Sequence, residues 1–570
     1  MKLIIILQIF AVAVQAIRWI HPIYVTSERN YTRLMMERMG TDCSALIKDI
    51  NEWHFAPSKL MTLPLDGTKE NYIRRNVKEA IFSVVSPTPL ATKLKLVSYS
   101  EDVLINILDM DPSISKTYDF SEFIAGNKIL PSCTPLAHRY GGHQFGFWAM
   151  QLGDGRAHLL GEYVNRAGER WELQLKGSGK TPYSRDGDGH AVLRSSIREF
   201  LCSEAMYYLG VPTSRAAAIV VSQDPVLRDQ FYNGYPRTER AAVVLRLAPS
   251  WFRFGSLEIL AHNKEMTSLK KLIDFIISEH YPEIDLQSEN KYLQLFSQVA
   301  QKTMDLVVQW QSIGFTHGVL NTDNMSMLGI TIDYGPFGFM EAYDSRFVPN
   351  SSDKEARYCF ERQFQIAEWN LEQLSQAIIP LLDESQTVEI TGVLQNIIQD
   401  SQNKLRDAFR KKLGLRTDVN EIDNQLLTML LQMMEETGAD FTQTFRQLGD
   451  IPMADLRNPD EVKKHWSLQR LSNNKYFLTF VDAYEKRLAE DGTTDSERRR
   501  IMCKINPRYV LKNWMAQSAI EKAEKDDFSE VQFLLNVLQS PYTVNEEAEK
   551  RGYADPPPKW SSTIKVSCSS

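Results

Sequence analysis

Asp333-Tyr334-Gly335 follows Asn324 by nine residues, across the largely apolar string Met325 to Ile332. An aspartate carboxylate and an asparagine carbonyl brought together over a short hairpin supply two oxygen ligands to one magnesium ion, which keeps waters and phosphate oxygens at its other positions. Asp323, next to Asn324 but directed elsewhere, is then free to act as a general base on a hydroxyl nucleophile. The run starts at His317-Gly318-Val319-Leu320-Asn321-Thr322. The plainer alternative is a turn rich in Asn and Asp.

A second group of residues lies upstream. Gly153-Asp154-Gly155-Arg156 precedes Ala157 to Val164, a turn at Ala167-Gly168, and Trp171-Glu172-Leu173-Gln174-Leu175-Lys176. Two alternating strings around a glycine turn predict an antiparallel hairpin, with the first glycine pair at its mouth, where backbone N–H groups can approach a phosphate. Many ordinary turns carry the same pattern. After Lys176 the apolar positions Ile197, Leu201, Ala205 and Leu209 predict a helix from Arg194 to Leu209 that carries Glu199. A strand lysine paired with a helix glutamate behind a glycine hairpin is how protein kinases hold ATP phosphates. Taken singly, either residue is more often a solvated surface charge.

Gly179-Lys180-Thr181 imitates the end of a P-loop, but the position that needs the first glycine holds Gln174. Pro182 and a polar run through Gly189 follow, so no helix N-terminus is available to cradle phosphate.

The elements that must position these groups follow from texture. The chain has 570 residues, a formal charge of −7 and 24% charged residues, a globular composition without the basic field that nucleic acid or an anionic membrane would call for. Residues 41–132 are mixed and read as an N-terminal extension. Residues 133–260 and 261–355 concentrate glycine, arginine and β-branched residues in short strings, the pattern of strands and tight turns about a site. Residues 356–550 carry amphipathic patterns such as Leu426 to Met434 and Val510 to Ala523 and read as helical, and 551–570 as a flexible tail after Pro556-Pro557-Pro558.

Lys2, the apolar run Leu3 to Val14 and Ala16 have the layout of a secretory signal peptide over residues 1–16, too short to span a bilayer. No other stretch is long and apolar enough for stable membrane insertion. Sequons at Asn30, Asn324 and Asn350 bear on that reading, since a glycan on Asn324 would destroy a metal ligand. The six cysteines, Cys43, Cys133, Cys202, Cys359, Cys503 and Cys568, are too sparse for a disulfide framework or a zinc knuckle. Cys568 reads as an exposed tail thiol.

Five segments together resemble the selenoprotein O family of protein adenylyltransferases: Tyr140-Gly141-Gly142-His143-Gln144-Phe145-Gly146, Leu173 to Gly189, Arg246 to Gly255, His317 to Met325 with Asp333-Tyr334-Gly335-Pro336-Phe337, and Asn506-Pro507-Arg508-Tyr509-Val510-Leu511. The resemblance runs from about Thr41 to Ser570. It implies an α+β, protein-kinase-like two-lobed fold with a large helical C-terminal region, and transfer of AMP from ATP to Ser, Thr or Tyr hydroxyls of proteins. It implies nucleotide contacts at Gly153, Gly155, Arg156, Lys176, Asp188, Gly189, Arg246 and Arg253, with Glu199 as the partner of Lys176. It further implies Asn324 and Asp333 as ligands of Mg2+, with Mn2+ as a substitute, and Asp323 as the base. Many members end in selenocysteine where this chain has Cys568. Some carry a thiol where this chain has Phe347-Val348-Pro349-Asn350, the nearest cysteine being Cys359. Eukaryotic members are often mitochondrial, against the secretory pattern.

The charges fit AMP transfer. Arg156, Arg246 and Arg253 add to Lys176 more fixed positive charge than transfer of a terminal phosphate calls for, and arginines grip phosphate oxygens bidentately. ATP held end for end would leave its α-phosphorus beside the metal and its diphosphate among the arginines. Gly318 and Val319 replace the Arg and Asp of the kinase catalytic loop, which disfavours ordinary kinase chemistry. A silent ATP-binding pseudokinase scaffold is the alternative from a different class, and an ordinary protein kinase the other. Oligomeric state is open.

Overall fold

The computed structural model describes residues 46–70, 72–417 and 421–567. The targeting segment at residues 1–16, Asn30, Cys43 and Cys568 lie outside the described residues. The architecture is α+β. Strands β1 (Leu65–Asp66), β2 (Phe82–Val84), β3 (Lys95–Tyr99), β4 (Leu136–His138), β7 (Ala157–Val164), β8 (Arg170–Lys176), β10 (Arg215–Arg228) and β11 (Arg237–Ala248) form one mixed sheet in the order β1-β2-β4-β7-β8-β11-β10-β3, with β9 (Ala191–Val192) paired to β11. Between them lies a separate ribbon of β5 (His143–Gln144) and β6 (Phe147–Trp148). A small pair, β12 (Phe315–Thr316) with β13 (Gly338–Phe339), brackets the segment from His317 to Phe337.

The β7–β8 hairpin forms as its sequence predicts. Asn165 Oδ1 accepts from the N–H groups of Ala167 and Glu169, and Gly168 takes the left-handed backbone (φ 77°) that closes the turn. Alternation on β8 sends Leu173 and Leu175 to one face of the sheet and Gln174 and Lys176 to the other. The first face packs on Trp53, Phe55, Leu104, Phe120 and Phe123. The other is covered by α3 (Leu193–Tyr208), with Ile197, Leu201 and Ala205 against Val244 and Ala248.

Residues 46–132 are therefore not an extension of the fold. They contribute β1 and β2 at one edge of the sheet, β3 at the other, and the layer that buries one whole face, including α1 (Glu101–Asn106) and α2 (Tyr118–Ala125). The sequence hides this because the pairings that join these strands to the rest of the sheet, β2 with β4 and β3 with β10, are non-local. The boundary placed at residue 260 falls inside α4 (Phe254–His262), and α5 (Met266–His280) and α6 (Lys291–Ser312) fill a stretch read as strands and turns. Leu269, Leu272, Ile273, Ile276 and Ile277 of α5 are all buried, a helical stripe whose isoleucines imitate strand composition.

Beyond Phe360 the chain is helical as expected, including α7 (Gln363–Ile378), α8 (Glu384–Lys412), Glu421–Thr437 and Asn513–Ala523. The last of these starts three residues after Val510. The expectation of a flexible tail fails for residues 551–567. The Tyr553 hydroxyl bonds Glu530, Val566 pairs in parallel with Asn350, and Ser567 donates to the carbonyl of Gln230. No helix among the described residues is long and apolar enough to cross a membrane.

One buried ion cluster braces α3 against the sheet. Arg215 donates to Glu204 at 2.8 Å and to Asp102 at 2.7 Å, with the Tyr207 ring 3.5 Å beneath its guanidinium. Arg215→Ala would leave buried carboxylates uncompensated. It is expected to destabilise the fold by about 3–5 kcal/mol, read as a lower urea midpoint; a shift near zero would show that water replaces the guanidinium.

Candidate active site

Register brings the charges together. On β8 and β11 Gln174 lies opposite Arg246 and Lys176 opposite Val244, so Gln174, Lys176 and Arg246 project from one face. Glu199, one turn along α3 from the buried Ser196, meets them there. Lys176 Nζ lies 2.8 Å from Glu199 and 3.3 Å from Asp333. Arg246 donates to Glu199 at 2.6 Å, to Asp333 at 2.5 Å and to Gln174 Oε1 at 2.9 Å. Arg253, the N-cap of α4, donates to Asp333 Oδ2 at 2.7 Å and to the backbone carbonyl of Asp323 at 2.8 Å. The lysine–glutamate pair expected from spacing is thus present, and both downstream arginines converge on the aspartate of Asp333-Tyr334-Gly335.

Burial alone would raise the pKa of Asp333, but the charges of Arg246, Arg253 and Lys176 overcome it and hold the carboxyl well below the usual range. Asp333 adopts a left-handed backbone at φ 59°, a conformation costly for a non-glycine residue. Burial lowers the pKa of Arg156, and the charges of Glu199 and Asp333 act on it from the same cluster.

Asp323 and Asn324 sit in a single 3₁₀ turn, Thr322–Asn324, and an antiparallel bridge between Met325 and Thr331 makes the short hairpin that leads to Asp333. The amide nitrogen of Asn324 donates to the Val319 carbonyl at 2.9 Å, which turns its oxygen the other way. Asp323 is buried. Gln144 donates to its Oδ2 at 3.1 Å, while Oδ1 has no hydrogen-bond partner among the described residues. Burial, opposed by Gln144 and the charge of Arg253, pushes this carboxyl up to about 7.

The remaining expected residues have other first duties. A Cβ on Gly153 would lie 2.6 Å from the Tyr183 ring and one on Gly155 2.6 Å from the Tyr183 carbonyl, so packing against the 181–184 turn already demands glycine. Gly189 (φ 80°) presses on the backbone of Gly179-Lys180. Asp188 is bound through both oxygens to Arg228, at 2.6 and 2.7 Å. No helix follows Gly179-Lys180-Thr181 before Leu193. The sequon asparagines Asn324 and Asn350 each give their amide nitrogen to a backbone carbonyl, at 2.9 and 3.0 Å, an arrangement that a glycan would break.

Sequence reasoning missed Gln144, Gln174 and Arg228. The string Tyr140 to Gly146 is a visible marker of the first, but nothing local in it points at Asp323, 179 residues away.

No group of three or more His, Cys, Asp or Glu able to hold a metal occurs among the described residues. A cation here would lean on one carboxylate, one amide oxygen and phosphate oxygens, a donor set that fits magnesium.

Residues 70–539 match the family model described as protein adenylyltransferase SelO. The protein nucleotidyltransferase YdiU of Flavobacterium johnsoniae is 43% identical over 517 residues, covering 89% of this chain and 96% of that one. Those of Pseudomonas fluorescens and Xanthomonas oryzae pv. oryzae are each 41% identical, over 497 and 524 residues, covering 86% and 90% of this chain and 96% and 97% of theirs.

Proposed function

Because this chain belongs to the SelO family of protein adenylyltransferases and is by that membership a nucleotidyltransferase, we propose that it transfers AMP from ATP to Ser, Thr or Tyr hydroxyls of proteins, in a kinase-like two-lobed fold whose nucleotide lies reversed. The observation that carries the reading is the convergence of Lys176, Arg246 and Arg253 on the single carboxylate of Asp333. A kinase holds inner phosphates with one lysine. Here two buried guanidiniums, with Arg156 in the same field, are arrayed around the residue proposed to carry the metal. That array suits a leaving diphosphate of high charge.

In this reading Asn324 and Asp333 hold Mg2+, which when bound neutralises phosphate charge and polarises the phosphorus under attack. Before the nucleotide arrives, Asp333 neutralises the arginines. When ATP binds, its β- and γ-phosphates take the place of Asp333 on Arg246 and Arg253, and Lys176 stays oriented by Glu199. Asp323, with Oδ2 held by Gln144, takes the proton of the acceptor hydroxyl. The hydroxyl oxygen bonds to the α-phosphorus as the bond from that phosphorus to the bridging oxygen breaks, and diphosphate leaves into the arginine group. Asp188 orders Arg228, and the packed glycines 153, 155 and 189 hold the loops on which Arg156 and Asp188 sit.

ATP labelled at the α-phosphate is expected to label protein, with release of one diphosphate per AMP transferred. Label entering protein only from the γ-position would instead mark a kinase. An unlabelled protein that still binds ATP would mark a scaffold, the reading that a complete lysine, glutamate, asparagine and aspartate set argues against.

A further inference from the structure

The β5–β6 ribbon and the turn around it, residues 141–150, are held against the 321–323 loop. His143 N–H donates to Thr322 Oγ1 at 2.7 Å, and Phe145 N–H to the Tyr358 hydroxyl at 2.8 Å and to Asn321 Oδ1 at 3.3 Å. Trp148 anchors the other strand by stacking on His262 at 4.5 Å between centroids. A Cβ on Gly142 would stand 2.9 Å from that of Asp323. The ribbon is thus fixed to the proposed base.

Its free side chains are apolar. Phe147 is 79% exposed and Met150 71%. Phe145 and Met150 both take left-handed backbone, at φ 52° and 59°, which is unusual for large side chains. Strain and exposed apolar surface are both unfavourable, and their coincidence marks a functional element rather than a solvated turn. Gln144 and Phe147 are directly paired across the ribbon. Side chains of paired residues leave a ribbon on the same face about 5 Å apart. Phe147 therefore stands beside the amide that bonds Asp323.

Resting on the proposed function, we propose that the 141–150 ribbon is the acceptor-docking element, with Phe147 and Met150 receiving an apolar side chain of the substrate protein next to the hydroxyl that is modified. Any protein hydroxyl that reaches the Asp323 carboxyl, joined to the ribbon through Gln144, brings its neighbouring residues over the surface continuous with this ribbon, which fixes the occupant as the acceptor itself. Selectivity here would be for residues flanking the hydroxyl and would act on acceptor binding, not on ATP.

The test uses the full chain, ATP labelled at the α-phosphate, and two sets of synthetic peptides carrying a Ser, Thr or Tyr hydroxyl flanked by leucine or by aspartate. The wild type is expected to favour the leucine set by about tenfold in kcat/KM. Phe147→Ser is expected to abolish the preference through the peptide KM, with the KM for ATP unchanged, and Phe147→Leu to keep most of it. Equal use of both sets by the wild type, or a preference that survives Phe147→Ser with Met150→Ser, overturns the proposal while leaving AMP transfer intact. Concentration-dependent dimerisation that these substitutions remove also overturns it, assigning the patch to a second copy. Failure of the α-label to enter any protein or peptide overturns the underlying reading instead.

Discussion

Arg246→Ala is expected to lower AMP transfer by about 10^3-fold or more, the scale of losing an arginine that stabilises charge on a transferring phosphoryl group. Arg246 is the best connected cation in the site, reaching Glu199, Asp333 and Gln174 at once. Its removal leaves Arg253 as the one guanidinium of that pair for the leaving diphosphate and frees Lys176 to drift between two carboxylates. Arg246→Lys should recover little, because an ammonium cannot make the fork to Gln174 and Glu199 together. Single-turnover measurements with α-labelled ATP separate the effects. The loss should fall on the chemical step as well as on ATP binding. A variant with near-normal transfer would show that the guanidinium serves only the fold, and the reversed nucleotide would lose its main support.

Asp323→Asn is expected to cost transfer about 10^2- to 10^4-fold, the range for a positioned general base, and at the same time to stabilise the protein. The stability sign follows from the raised pKa. An aspartate whose folded pKa is pushed to about 7 by burial contributes least unfavourably when protonated, below the unfolded value near 4. That advantage is lost as pH rises through about 7, where the buried carboxylate is charged. The asparagine variant escapes this loss. Without divalent cation it should exceed the wild type in stability by up to about 4 kcal/mol at pH 8, and by little at pH 4. Denaturant unfolding at the two pH values measures the difference. Equal stabilities at pH 8 would mean that the carboxyl is better solvated or better paired than its environment here indicates.

What was legible in the sequence was what short range determines. The β7–β8 hairpin, α3 with Glu199, and the Asn324-to-Asp333 hairpin all follow from periodicity, turn residues and spacing within about 30 residues. The Lys176–Glu199 pair was legible because strand end and helix lie 23 residues apart. Partnerships set by strand register or by packing were not. Nothing local tells that Arg246 faces Gln174, that Arg228 binds Asp188, or that the Gln144 amide reaches Asp323. Of the helices α4 to α6, which lie in a stretch read as strands and turns, α5 was hidden by its isoleucines, and the role of residues 46–132 by the distance from β2 to β4 and from β3 to β10. The glycines at 153 and 155 read in the sequence as a close approach to phosphate, whereas their crowding against Tyr183 is by itself sufficient to exclude a side chain.

The sheet order carries a consequence for biosynthesis. Its two outer edges, β1 and β3, come from the first hundred residues, whereas β10 and β11, which separate β3 from the rest, end only at Ala248. As the early chain leaves the ribosome, β3 has no strand to pair with until β10, some 120 residues after Tyr99. An excised fragment ending near residue 132 would retain the apolar layer of Trp53, Phe120 and Phe123 without the surface it covers, and is expected to aggregate rather than fold. Nascent chains should resist protease across residues 46–132 only once Ala248 has emerged.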